Sequence, residues 1–139
     1  MKSYLVDINV VLDFLLERKP FHEAAIKIMN HAEYKRVNLY ISAFSYNVIY
    51  FFLKKYTNSH KKAIVILMDL SQITKIIDTT ESVIKESLIS TFGDFEDAMQ
   101  NSSALKIDFL DGIITRNSID FKHSNLPILM PEEALVLIN

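Results

Sequence analysis

Tyr4-Leu5-Val6-Asp7-Ile8-Asn9-Val10-Val11-Leu12-Asp13-Phe14-Leu15 changes its period partway along. Tyr4 to Asp7 reads as a short buried strand, and from Val10 the apolar positions Val10, Val11, Phe14 and Leu15 return at helical spacing. A strand that ends on Asp7 and passes directly into a helix is the first half of a βαβ unit.

The same switch recurs outward from this segment. Pro20 breaks the first helical pattern, and Ala24, Ala25, Ile28, Met29 and Ala32 mark a second helix ending near His31 to Glu33. Leu39-Tyr40-Ile41 predicts the second strand. Ser42 is a plausible N-cap for a third helix that is apolar nearly all round and ends at Lys54-Lys55. A fourth helix is expected from Ser59 to Leu70, a strand at Lys75 to Asp78, and a helix from Thr80 to Ser90. Phe95, Ala98, Met99, Ser102 and Leu105 set a helix over Asp94 to Lys106. Strands are expected at Phe109 to Thr115 and Leu126 to Met130. Pro131 then opens a closing helix, Glu132 to Ile138, where its missing N–H costs nothing. Alternating strands and helices imply right-handed crossovers and a mostly parallel sheet of about five strands covered on both faces.

Composition agrees with one α/β domain. A chain of 139 residues is near the commonest domain size and buries roughly 68% of its unfolded surface. Half of its residues are hydrophobic, while Gly 2 and Pro 3 are too few for the frequent turns of a β-sandwich. With no Cys, disulfides and thiolate metal sites are excluded, so any metal must take oxygen or imidazole ligands, which favours Mg²⁺ or Mn²⁺. Asp7 and Asp13 interrupt the apolar N-terminus before a signal-peptide core can form, and no run approaches the ~20 apolar residues of a membrane span. The expected location is the cytoplasm. A net charge of −2 gives no basic footprint for duplex DNA.

Ligands of open parallel sheets bind beyond the carboxyl ends of the strands, so Asp7, Ser42, Asp78 and the stretch Thr115 to Asp120 are the first candidates. By position alone Asp7 reads equally well as a helix N-cap, and Glu96 and Asp97 as first-turn acids that complement a helix dipole. Convergence distinguishes these readings. Two carboxylates within ~4 Å repel by about 4 kcal/mol at an effective dielectric near 20, so a cluster requires a cation or a raised pKa.

Three blocks together resemble the PIN domain family, the metal-dependent ribonuclease fold of many bacterial toxins in toxin–antitoxin pairs. Val6-Asp7-Ile8-Asn9-Val10 is similar to the family's first-strand D-x-N, and Leu12 to Phe21 continues in its manner. Asp94-Phe95-Glu96-Asp97-Ala98 is similar to its D-F-E-D-A segment. Ile113-Ile114-Thr115-Arg116-Asn117 with Asp120-Phe121 is similar to I-I-T-R-N and D-F. The resemblance spans nearly the whole chain and implies a three-layer sandwich with helices on both faces of the sheet. It also implies Mg²⁺ or Mn²⁺ held by Asp7, Asp97, Glu96 and Asp120, and an RNA substrate contacted by Thr115, Arg116, Asn117 and Asn9. An antitoxin protein and a second copy of the chain are the implied partners. Two family acids are absent: Asn47 stands early in the third helix, and Asn117 replaces the acid of T-R-D.

That depletion supports an alternative, a PIN-like domain that has lost its metal and serves as a protein- or RNA-binding module. A phosphoacceptor enzyme would need a second Asp where Asn9 stands. His22, His31, His60 and His123 show no paired ligand spacing. Tyr50-Phe51-Phe52 lies within a helix and suits the core or a dimer seam better than base stacking. Lys54-Lys55 and Lys61-Lys62 read as solvated faces, and Lys35-Arg36 as weak steering charge.

Overall fold

The computed structural model describes all 139 residues. Five strands form one sheet: β1 (Lys2–Val6), β2 (Val37–Ser42), β3 (Lys75–Ile77), β4 (Gly112–Ile114) and β5 (Ile128–Leu129). Their order is β3-β2-β1-β4-β5 and every pairing is parallel, with Leu5 opposite Tyr40 and Ile113, and Ile114 opposite Leu129. Seven helices connect them: α1 (Ile8–Leu15), α2 (His22–Glu33), α3 (Ala43–Thr57), α4 (His60–Ile73), α5 (Glu81–Leu88), α6 (Phe95–Ala104) and α7 (Pro131–Ile138). A 3₁₀ turn, Ser118–Phe121, lies between β4 and β5.

The sheet divides the core by strand alternation. Tyr4, Val6, Leu39, Ile41 and Ile114 point to one face and join α1, α2, α3, α4 and α7 in a cluster of 19 buried residues. Leu5 and Ile113 point the other way and meet Ala104 of α6 and Phe121 of the 3₁₀ turn, with Phe92 and Ile107 against them. The expected layering is therefore present, with unequal layers. On the thinner side Glu86 of α5 accepts from Lys106 at 2.7 Å and Ser102 at 2.6 Å, tying α5 to α6, and these bonds hold its carboxyl down at about 2.

Element ends depart from expectation for identifiable reasons. The first helix stops at Leu15, ahead of Pro20, because Glu17 takes a left-handed φ of 53°. The fourth strand begins at Gly112 rather than Phe109. Phe109 turns at φ 59° and is 96% exposed, and the chain enters the sheet only where Asp111 N–H bonds Ser3 C=O and the Asp111 carboxylate accepts from Ser3 N–H, both at 2.8 Å. Gly112 must lack a Cβ, which would stand 2.5 Å from the Pro127 carbonyl oxygen beside β5. The third helix carries apolar residues on its outer side as well as its core side, and only the core side is covered. It buries Ser45, Ile49 and Leu53, while Phe51, Phe52 and Tyr56 face outward. Ser42 occupies its N-cap position without capping it; Thr79 Oγ1 accepts from Phe44 N–H instead.

Candidate metal centre

Asp7 follows the central strand of the sheet and caps α1: its Oδ1 accepts from Ile8 N–H at 2.9 Å. Its Oδ2 accepts from the Thr115 hydroxyl at 2.9 Å, and that hydroxyl in turn accepts from Asn117 N–H at 3.1 Å. Thr115 leaves the neighbouring strand β4, so parallel pairing of β1 with β4 brings positions 7 and 115 together across 108 residues. Asp7 is only 3% exposed. Burial raises its pKa and the Asp120 charge adds to the rise, while the bonds from Thr115 and Ile8 and the Arg116 charge oppose it.

The other acids come from α6. Asp94 is the N-cap, accepting from Asp97 N–H at 3.0 Å, which places Glu96 and Asp97 in the first turn, half-buried. Neither carboxylate accepts a protein hydrogen bond. Asp97 is pushed up to about 7, first by burial and then by the charges of Asp7, Asp94, Asp120 and Glu96. Glu96 is raised by burial, then by Asp7 and Asp94. The four candidate acids therefore lie within one another's fields, together with Asp94, which the sequence reading had not selected. The signal for it was its place in the same D-F-E-D run.

Asp94, Asp97 and Asp120 line an open cleft of ≈ 590 Å³ with Lys122 and His123 on its rim. Those two cationic or titratable side chains also went unselected, although they directly follow Asp120-Phe121. Asp78, a strand-end candidate, is exposed and makes no ion pair or side-chain hydrogen bond. Asn47 is exposed on α3 and lines a different cavity.

Three expected substrate contacts are committed elsewhere. Thr115 is fully buried, so its hydroxyl serves Asp7. Arg116 pairs with Asp13 at 2.7 Å and stacks over the Phe21 ring at 4.0 Å. Asn9 Oδ1 accepts from the Arg18 guanidinium at 3.2 Å, and Arg18 also pairs with Asp13 at 2.9 Å. Asp13 is 1% exposed and neutralises both guanidiniums, tying the end of α1 to the exit of β4. Asn117 is half-buried; its backbone N–H donates to Thr115 and its carbonyl accepts from Asp120 N–H, and its side chain makes no hydrogen bond.

The donor set suits a hard divalent cation, being all oxygen and crowded enough that a positive charge would relieve it. No three Asp, Glu or His side chains stand close enough to share one ion as they are placed. The arrangement suits an ion held by one or two carboxylates and otherwise hydrated, which is the habit of Mg²⁺.

Ser42, Ser45 and Gln100 form a closed, buried hydrogen-bond triangle: Ser42 Oγ donates to Gln100 Oε1 and Gln100 Nε2 donates to Ser45 Oγ, each at 3.0 Å, and the two hydroxyls bond each other. It pins the start of α3 to α6 one turn beyond Asp97.

The fold has solved counterparts. A toxin–antitoxin complex from Klebsiella pneumoniae matches at a TM-score of 0.67 with 22% identity, over 93% of this chain and 98% of that chain. VapBC2 from Rickettsia felis, bound to a DNA fragment from their promoter, matches at 0.61 with 16% identity, over 91% of this chain and 96% of that chain. No curated protein sequence matches this one. A family model described as PIN domain matches residues 3–118, and with the parallel sheet and strand-end acids this establishes that the chain belongs to the PIN domain family.

Proposed function

We propose that this chain is a metal-dependent endoribonuclease, the toxin of a toxin–antitoxin pair acting in the cytoplasm. Membership of the PIN family and a fold shared with proteins of toxin–antitoxin complexes support the class. The observation that carries it is the crowding of Asp7, Glu96, Asp97 and Asp120, in which burial and like charge raise three of the four carboxyls. Structural stability alone does not ask for such a cluster.

Bound Mg²⁺ or Mn²⁺ would supply polarisation of a phosphoryl oxygen and a more acidic water. Asp7 and Asp97 would hold the ion. Glu96 and Asp120 would complete its surroundings or orient a water. Thr115 fixes the Asp7 carboxylate, and Asn117, Lys122 and His123 would meet the phosphate. Arg116 and Asn9 act indirectly, through the Asp13 network. The antitoxin is the protein partner. Self-association uses the apolar flank of α3 and α4, where Phe52, Tyr56, Val65 and Met68 are exposed, and light scattering should return a particle heavier than 16.0 kDa. No helix is long and apolar enough to cross a membrane.

Purified protein should cut RNA in Mn²⁺ or Mg²⁺ and stop in EDTA, and Asp97→Asn should abolish cutting. Metal at a hundredfold excess over Kd should stabilise the wild type by about 2.7 kcal/mol, and the Asn variant should lose most of that gain. One observation favours a second reading, a binding module without catalysis: three ligating side chains do not converge. If millimolar Mn²⁺ leaves melting unchanged and a broad RNA panel stays uncut, that reading replaces the first.

A further inference from the structure

Charge is segregated along this chain in a way its net value of −2 conceals. No Asp or Glu occurs between Glu33 and Asp69, a stretch that carries Lys35, Arg36, Lys54, Lys55, Lys61 and Lys62. Four of these six flank the α3–α4 turn, and none of the four forms an ion pair. Tyr50 OH bonds His60 Nδ1 at 2.7 Å, which holds the start of α4, with Lys61 and Lys62, against the last turns of α3. Lys61 and Lys62 stand in the first helical turn, where the dipole disfavours cations. Lys54 and Lys55 suit the C-terminal dipole of α3, but folding gains nothing from adding Lys61 and Lys62 beside them, whereas a polyanion would.

Asn47, Phe51, Lys54, Lys55 and Asn58 recur at helical spacing on the side of α3 opposite its buried Ile49 and Leu53, and with Tyr50 they line a cavity of ≈ 470 Å³. Phe51 is 62% exposed. An exposed aromatic ring between amide side chains and adjacent lysines is the combination that stacks a base and holds its phosphates. The centre of a protein–protein seam is instead depleted in lysine. Ser42 and Ser45 pin the start of α3 to α6 beside the acids, and at about 1.5 Å per residue Lys54 lies roughly 18 Å along the helix from Ser42. One strand can span both regions.

We propose that this outer face of α3, with the lysines of the α3–α4 turn, is a platform for single-stranded RNA that holds substrate outside the acidic cleft. The inference rests on the ribonuclease reading for the identity of the strand. Its own test runs without catalysis: fluorescence anisotropy of a labelled oligouridylate with the full chain in EDTA, across a salt series. Lys54→Gln with Lys55→Gln should weaken binding about tenfold near 0.1 M salt and reduce the steepness of the log–log salt dependence by roughly 1.4, at ~0.7 per lost phosphate contact on a single strand. Phe51→Ala should weaken it about tenfold with little change in slope. All three side chains are exposed, so melting temperatures should not move. Wild-type affinity in these variants overturns the platform while cleavage by the wild type leaves the enzyme reading standing. Unchanged RNA affinity together with a lost oligomer identifies the face as a protein seam and also overturns it. A wild type that neither binds nor cuts RNA removes both readings.

Discussion

Two groups of carboxylates meet beyond the carboxyl edge of the sheet, and the chain holds them in opposite ways. Asp7 is buried at a strand end, and both of its oxygens accept hydrogen bonds, from Ile8 N–H and from Thr115. Glu96 and Asp97 sit half-exposed in the first turn of α6 and accept none. The strand side is preorganised, and the helix side is left with unsatisfied charge. A rigid anchor facing uncommitted carboxylates is what an ion-dependent site needs, because the second group must be free to change partners when the ion arrives.

The largest expected effect tests the rigid side. Asp13 neutralises Arg18 and Arg116 from a position 1% exposed, and so links α1 to the segment that carries Thr115. Asp13→Ala leaves two guanidiniums without their carboxylate. Urea denaturation should show a loss of about 3 kcal/mol, the low end for a broken buried pair because both arginines keep partial access to water. A midpoint within error of wild type would mean that the strand side owes its rigidity to the sheet alone.

A smaller effect isolates the grip on Asp7. Thr115→Val keeps the shape of the side chain but removes the donor to Asp7 and the acceptor for Asn117 N–H. Cleavage or metal affinity should fall roughly 10–100-fold, as is usual when a ligand loses its hydrogen-bonded support. Thr115→Ser should restore most of it. If Val performs like Thr, Asp7 is positioned by its backbone, and the contrast between the two carboxylate groups weakens.

How much of this was legible in the chain depended on how local the cause was. The order of strands and helices followed from period switches within a dozen residues, and all twelve expected strand and helix segments are present; the 3₁₀ turn at Ser118–Phe121 was not expected. Phe109 and Leu110 looked like strand because they are apolar, but the close approach of Pro127 to Gly112 fixes where β4 begins, and that contact is not local. The aromatic run of α3 read as core or dimer seam; only Ser45, Ile49 and Leu53 of its fifteen residues are buried, and Phe51 and Phe52 face outward. Asp7, Glu96 and Asp97 stood out because each lies in a compact motif at an element end. Asp94 was hidden behind its capping role. Arg116 and Asn9 were expected at substrate because their partners, Asp13 and Arg18, become visible only once α1 is packed against the exit of β4. Lys122 and His123 were missed because burial of Phe121 in the 3₁₀ turn turns the following residues toward the cleft.

The smallest expected effect concerns the uncommitted side and its dependence on pH. Asp97 titrates at about 7 in the folded chain against an ordinary 3.8, so its folded pKa is raised. A raised carboxyl binds its proton more tightly folded than unfolded. Its contribution to stability is therefore complete below about pH 4 and is lost as pH rises through about 7. Glu96 and Asp7 shift in the same direction and add to the trend. Asp97→Asn removes the largest charge conflict, so the variant should melt higher than wild type at pH 8 and close to it at pH 4. Asp97 is only partly buried, and screening reduces the gain to the order of 1 kcal/mol, or about 3 °C for a chain this size. Metal-free melting curves across that range are the measurement. A variant gain that stays constant with pH would show that the repulsion among Asp7, Glu96, Asp97 and Asp120 is absorbed by solvent, and that the helix side is no more strained than the strand side.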